Sequence, residues 1–478
     1  MKQLFFLVIA TGLGIGGSVL TGPYIGVLVY YLYAVLRPQF IWEWSLMNYD
    51  LHTFPWSFYV AITAMLVTAL TAIGVLGYPA SGPEPGYPPP RRVATHYFLW
   101  AFAVWVSLST LMARHPQVAF LYYVELIKLF LMFTVAVFAV QRIGQLWWLL
   151  VTVTVADIYV AYEVNFHYFS TGYMFLAKQG FGGLDNNGAA LMFAMMIPTC
   201  YFLWEATQSR FRWVYLGGVA FLGHAVLLSF SRGAMLSLVV TAPLLLLYSQ
   251  RRKQLFAVLC LAGVCAVATA GPEVQNRFFS ITQHDADESA QSRLTTWKIA
   301  ITMAAEEPLF GFGVRNSNLY TKAYGADIEG RSIHSQYLQI AADCGVVGSG
   351  LFIGLLASAL ISAWRARQAV RGRTDSDAVR VRAMAASVSC GLAVYALGAS
   401  FLSLDTFEMP YILMMLAGQL QGLRPGEATV TRSSADSGGG ISEAKVRRSG
   451  WPGPREPLST PVGKRRKSPE IRFHKIHS

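Results

Sequence analysis

The feature that most constrains this chain is a succession of long, unbroken apolar runs. They fall at Phe58–Leu76, Tyr97–Met112, Ala119–Val140, Leu146–Tyr162, Ala189–Trp204, Val214–Phe230, Met235–Tyr248, Leu255–Ala270, Tyr337–Ile361, Ala383–Phe401 and Met409–Leu423. A helix needs about 20 mostly apolar residues to cross a bilayer core. Lipid offers no partners to backbone N–H and C=O groups, so only helices and closed barrels span it. Barrel strands alternate apolar and polar residues; these runs are continuous. The chain therefore reads as an all-α polytopic membrane protein. Its composition, 54% hydrophobic and 13% charged with a mean hydropathy of +0.42, is too apolar for a soluble enzyme of 478 residues.

The first segment, Leu4–Leu20, lacks a convincing amino-terminal region and cleavage site and leads directly into another apolar stretch, so no cleavable signal peptide is expected; Leu4–Leu36 as a whole can be counted in two ways. Two short spans broken at Gly22-Pro23 give about thirteen crossings with an outside start. One long kinked element gives about twelve with an inside start. Cys200, Cys260, Cys265, Cys344 and Cys390 fall in or beside spans and form neither a disulfide framework nor a zinc pattern. Net charge is +12. The tail from Arg424 holds twelve Lys/Arg against five Asp/Glu and is rich in Gly, Ser and Pro, the composition of a disordered segment. KRRK at Lys464–Lys467 fits a tail beside anionic lipid better than a nucleic-acid site.

Basic residues in short loops mark the cytoplasmic side. They are Arg91-Arg92, Arg142, Arg210 with Arg212, Arg251-Arg252-Lys253, and the group from Arg365 to Arg382. Counting from these anchors puts Asn165–Asn187, the Ser231-Arg232 turn, the long segment Gly271–Ile333 and the turn near Asp405 outside. Arg114 and Arg232 break the bias. The expected organisation is an amino-terminal bundle over 1–270, a large periplasmic loop with short helices over 271–333, further transmembrane helices over 334–423, and a basic cytoplasmic tail over 424–478.

Four stretches carry candidate chemistry. SFSRGAML places Arg232 at the outer boundary between two spans, where an arginine is costly unless it is paired, snorkels to headgroups or holds an anion. In the external segment, SAQSRLTTWKIAITMAAEEP reads as an amphipathic helix behind Asp285, Asp287 and Glu288. Its expected apolar stripe is Leu294, Trp297, Ile301 and Ala304/Ala305, it ends at Pro308, and Arg293 sits in its first turn. That arginine either faces the membrane domain or is solvated near the acidic residues. LFGFGVRNSN is a glycine turn with only a weak likeness to a phosphate loop. HSQYLQIAADCGVVG starts a span on His334, with Ser335 and Gln336 able to cap the helix or orient the imidazole, and Asp343 about two turns on. GFGGLDNNGAAL sets Asp185, Asn186 and Asn187 at an external helix start, where at least one N-cap is expected. All fall on one face. Paired arginines grip phosphate oxygens through a bidentate fork, and histidine titrates near neutrality, as a general base must. No carboxylate or histidine cluster has metal spacing, so arginine would supply the positive charge.

The order SRGA, RLxxWxxAxxxxxxxPxxGxG, HSxxLQxxxxxGxxG resembles the O-antigen ligase/polymerase superfamily of bacterial envelope proteins over about Gly180 to Gly350. ASAQSRLTTW is similar to its exosortase-associated O-glycosylation ligase subgroup. The resemblance implies about twelve transmembrane helices, favouring one broken element at Leu4–Leu36, in the bacterial inner membrane with the active site on the periplasmic side. It implies a metal-independent ligase, without cofactor, that moves a glycan from an undecaprenyl diphosphate carrier to a hydroxyl on lipid or protein. Its essential residues match Arg232, Arg293 and His334; Asp185, Asn186, Asn187 and Gln336 join them as candidate substrate contacts. Expected partners are the polyprenyl-diphosphate-linked glycan, the acceptor and membrane lipids, with no nucleic acid. The sequence departs from the pattern in its basic tail and in Asp343-Cys344, where a glutamate-containing pair is expected. A polymerase would use the same apparatus on a second lipid-linked glycan. A transporter or flippase would set charges deep in several spans and break helices in paired positions; here the polar candidates gather at one edge.

Overall fold

The computed structural model describes residues 1–78, 82, 87–269, 288–404 and 406–427. The irregular start expected for the external segment, with Asp285 and Asp287, lies outside the described residues, as do Asp405 and the tail from 428. Among the described residues the chain is helical, with one isolated β-bridge between Phe181 and Leu184.

The amino end forms two helices, α1 (Lys2–Thr21) and α2 (Tyr24–Leu36). They run antiparallel: the Tyr33 hydroxyl donates to Leu7 O at 3.0 Å, and a Cβ on Gly26 would sit 2.2 Å from Ser18 Oγ. This corrects the single kinked element that the family resemblance favours. Gly22 at φ +104° lies where no helix can continue, and the chain turns back on itself.

Two short helices, α3 (Pro38–Ile41) and α4 (Glu43–Met47), lead to α5 (Trp56–Ala72), α6 (Ala94–Leu111), α7 (Pro116–Ala139) and α8 (Ile143–Thr171). After α9 (Phe175–Gln179) come α10 (Asn186–Ala206), α11 (Arg212–Leu228), α12 (Arg232–Tyr248) and α13 (Arg252–Thr269). Then follow α14 (Glu288–Glu306), α15 (Ser317–Tyr320), α16 (Gln336–Ala369), α17 (Ser376–Gly398) and α18 (Glu408–Gly422). Six of these, α1, α7, α8, α10, α16 and α17, are long and apolar enough to cross a membrane. Four shorter apolar helices, α2, α5, α11 and α12, pack among them. At the centre α10 lies against α17 so closely that a Cβ on Gly391 would meet Met195 O at 2.9 Å. Small residues at such crossings let backbones approach where lipid gives no hydrophobic drive.

The arginines that set the charge bias collect at one end of the bundle and bind helix termini there. Arg367 Nη2 donates to Tyr248 O at 3.2 Å, at the carboxyl end of α12; nearby, Arg373 Nη1 donates to Pro425 O at 2.6 Å and the Arg91 backbone N–H to Gly422 O at 2.9 Å. Cations suit helix carboxyl ends. The opposite end gathers the start of α10, the α11–α12 turn, α14, the start of α16 and the end of α17.

At that opposite end α16 is broken. Gly345 has φ +72° and ψ 175°, which interrupts the helix. Backbone groups freed inside an apolar bundle cost free energy until partnered, and the segment after α14 partners them. Phe312 N donates to Ala342 O at 2.9 Å, Gly313 N to Asp343 O at 2.8 Å, and Val346 N to Pro308 O at 2.9 Å. Trp105 Nε1 donates to Cys344 O at 2.9 Å. The glycine turn therefore serves as a plug for the break. Gln336–Cys344 form a separate short helix lying ahead of the long one.

A Cβ on Gly345 would stand 2.0 Å from Leu309 O, at a φ that L residues rarely adopt. Gly345→Ala is expected to destabilise the purified protein by about 2 kcal/mol or more, measured as thermal unfolding in detergent. Gly350→Ala, with nothing within 4 Å of its Cβ position, is expected to leave the unfolding temperature unchanged.

Candidate functional site

Asp185 is the N-cap of α10: its Oδ1 accepts from Gly188 N at 2.7 Å. The expectation of a cap in this trio is met by the aspartate. Asn186 Nδ2 donates to Ser229 O at 3.0 Å, tying the start of α10 to the α11–α12 turn, and Asn187 Nδ2 donates to Asn186 Oδ1 at 3.2 Å. The loop ahead of Asp185 is held by Arg37, whose Nη1 donates to Gly182 O.

Arg232 is the first residue of α12 and half-buried. Ser231 Oγ caps the helix by accepting from Ala234 N at 3.4 Å, and Phe230 makes the turn at φ +56°. A guanidinium at a helix amino end opposes the helix dipole by about 0.3–1 kcal/mol, a balance that an anion at the same place reverses. The next residue, Gly233, faces Phe401, 3.8 Å from its Cβ position. Phe401 in turn lies 6.2 Å, centroid to centroid, from Trp297 on α14, one turn beyond Arg293. Arg293 is thereby brought to the same end as Arg232, and is also half-buried.

The neighbour of Trp297, Thr296, donates through Oγ1 to Ile333 O at 3.1 Å. This fixes the peptide that enters His334. His334 takes φ +54°, a left-handed conformation in which histidine is over-represented among non-glycine residues. Immediately beyond, Gln336 N donates to Ala399 O at 2.8 Å at the end of α17. The imidazole is thus set by backbone bonds on both sides, to α14 and to α17. Burial, the Arg293 charge and the Arg331 charge hold its pKa below the ordinary histidine value, while the Asp185 carboxylate pulls the other way. A histidine so placed keeps a lone pair for an incoming proton at neutral pH.

Beneath His334 runs a buried polar network. Gln339 Nε2 lies 2.7 Å from Asp343 Oδ2, 2.7 Å from Asn318 Oδ1 and 3.0 Å from Ser317 Oγ. Ser317 N donates to Asp343 Oδ1 at 3.1 Å. Asp343 is 3% exposed and joins the short helix to α15. Gln336 is 1% exposed, and its side-chain oxygen accepts from Leu404 N, clamping the turn after α17. Ser335 occupies the N-cap position of α16 but makes no side-chain cap bond.

The apolar stripe expected on α14 is corrected in part: Trp297 and Ala304 pack inward as expected, the other members do not. Leu294 and Ile301 are 48% and 57% exposed and Ala305 is exposed, whereas Ile299, Ala300, Met303 and Ala304 are buried. Ile299, Ala300 and Met303 form a small second core with Phe312, Ile333 and Ala342. The face that packs is chosen by the plugging segment and the broken helix. Arg114, one of the two exceptions to the charge bias, also works at this end. Its Nη2 pairs with Glu307 Oε1 at 3.0 Å, and its guanidinium covers the Phe312 ring at 3.7 Å. Sequence reasoning passed over Arg331, three residues before His334. Its only sequence signal is a lone arginine in a polar stretch.

Residues 217–353 match a family model described as O-antigen ligase. The segment contains Arg232, Arg293 and His334; Asp185–Asn187 precede it. This part of the chain is similar to O-antigen ligases, and the described residues include several helices long and apolar enough to cross a membrane. No curated protein matches the chain.

Asp185→Asn keeps an N-cap of equal quality but removes the carboxylate that raises the His334 pKa. The midpoint of diethylpyrocarbonate labelling at His334, followed by mass spectrometry against pH, is expected to move to lower pH with unfolding temperature unchanged. An unmoved midpoint would contradict the electrostatic link.

Proposed function

We propose that this chain is a metal-independent glycosyltransferase of the bacterial inner membrane. It transfers a glycan from an undecaprenyl diphosphate carrier to an acceptor hydroxyl on lipid or protein at the periplasmic face. The observation that carries this reading is that α14 holds the peptide entering His334 within the segment that matches the ligase family, and reaches the α12 start by way of Phe401 beyond α17. The basic end faces the cytoplasm by the positive-inside rule, so the His334 end faces the periplasm. The alternation of helix ends supports thirteen crossings with an outside start.

The carrier diphosphate sits at the membrane edge against Arg232 and Arg293. His334 accepts the proton of the acceptor O–H as that oxygen attacks the anomeric carbon. The bond from that carbon to the phosphate oxygen breaks, and its electron pair leaves on polyprenyl diphosphate, where the two guanidinium groups meet the growing charge. Direct displacement inverts the anomeric carbon. The depressed His334 pKa suits this role, because the base is unprotonated at neutral pH. Asp185 and Asn186 hold the α10 start beside Arg232, and Gln336 fixes the turn behind His334.

The test is transfer by purified protein from a polyprenyl-diphosphate glycan to lipid and peptide hydroxyl acceptors. His334→Ala is expected to lower turnover by about 10²–10⁴-fold while donor binding persists. Full transfer by a folded, abundant variant overturns the assignment. Arg232→Lys keeps the charge but loses the fork, and is expected to lose up to about 10²-fold in kcat; unchanged kinetics count against diphosphate binding there. A second lipid-linked glycan as the only accepted substrate would make the enzyme a polymerase.

A further inference from the structure

Arg331 lies in the loop that delivers His334, and its hydrogen bonds tie that loop to α14 and to the α15 region. Its Nη2 and Nε reach Ser292 Oγ at 2.7 and 3.1 Å. Ser292 is the residue before Arg293, so one guanidinium spans from the histidine loop to the arginine helix. Asp327, 3.4 Å away and largely exposed, is its ion-pair partner. Its backbone is fixed as well: Arg331 N donates to Thr321 Oγ1 at 3.1 Å, and Asn318 Nδ2 to Arg331 O at 3.4 Å. Asn318 also touches Gln339, so the loop rests on the buried network that closes on Asp343.

We propose that Arg331 is a positioning residue for the transfer reaction: it locks the His334 loop to α14 beside Arg293, and so sets where the imidazole meets the acceptor hydroxyl. This rests on His334 acting as the general base. Three charged groups act on that imidazole: Arg293 from α14, Arg331 from its own loop, and Asp185 from the cap of α10. The two arginines oppose protonation and the aspartate favours it. Arg293 is assigned to the donor diphosphate, whose negative charge offsets its effect once substrate is bound. Arg331 is engaged by Ser292 and by an exposed aspartate, and its charge is the smallest of the influences on the imidazole, behind burial, Arg293 and Asp185.

The test compares Arg331→Lys and Arg331→Gln with wild type in the full-length protein. The readouts are the pH profile of turnover with polyprenyl-diphosphate glycan, and the pH midpoint of diethylpyrocarbonate labelling at His334. Removing a positive charge raises the His334 pKa, so Arg331→Gln is expected to move the acid limb and the labelling midpoint to higher pH. Arg331→Lys keeps the charge but cannot hold Ser292 through two nitrogens. Its midpoint is expected to stay near wild type while kcat falls at all pH values. Wild-type kcat in both variants overturns the proposal, whatever the labelling midpoint. The labelling arm does not depend on turnover. Should His334→Ala transfer normally while Arg331→Gln still shifts the midpoint, the general-base reading fails and the electrostatic link stands.

Discussion

Backbone groups freed in an apolar bundle must find partners, and the break in α16 is where this chain meets that demand. Gly345 turns the helix aside, and the carbonyls of Ala342, Asp343 and Cys344 are met by Phe312 N, Gly313 N and the Trp105 ring. The segment that supplies Phe312 and Gly313 comes directly after α14. The same contact that satisfies the break therefore draws the Arg293 helix over the His334 loop. Without the break, Gln336–Cys344 would continue the long helix, and no pocket of loop and short helix would form at its end.

From this anchor the site is assembled by weak, specific contacts rather than one strong one. Thr296 holds the peptide before His334, Gln336 the turn behind it, Asn186 the turn before Arg232, and the Trp297–Phe401 pair bridges α14 to the α12 start. Each is worth roughly 0.5–1.5 kcal/mol, yet together they bring the backbone positions of Arg232, Arg293 and His334 to one end of the bundle. Arg37, Phe230 and His334 share positive φ values around this end, a pattern of local strain that collects at functional sites.

The membrane character was legible in the sequence because continuous apolar runs have one physical solution, and the charged end was legible because loop arginines obey a simple rule. The site motifs were legible as residue types at expected boundaries. Three features were not. Tyr337–Ile361 reads as one apolar run, since a lone glycine carries no periodic signal of a break whose partners lie some thirty residues upstream. The stripe on α14 was placed on Leu294 and Ile301 because apolar spacing marks a face but not which neighbour covers it. In a protein next to lipid, an exposed leucine has no penalty to betray it. Arg331 was missed because its role depends on Ser292, which only the fold brings near.

The account stands or falls on one shared pocket for donor and base. Its most direct test is a cryo-EM structure of the full chain with a non-transferable polyprenyl diphosphate-glycan analogue. The account predicts the diphosphate between the Arg232 and Arg293 guanidinium groups, with the anomeric carbon facing the His334 ring across a gap that admits a hydroxyl. Density for the diphosphate at the opposite, arginine-capped end of the bundle, or beside α12 but turned away from His334, would contradict it.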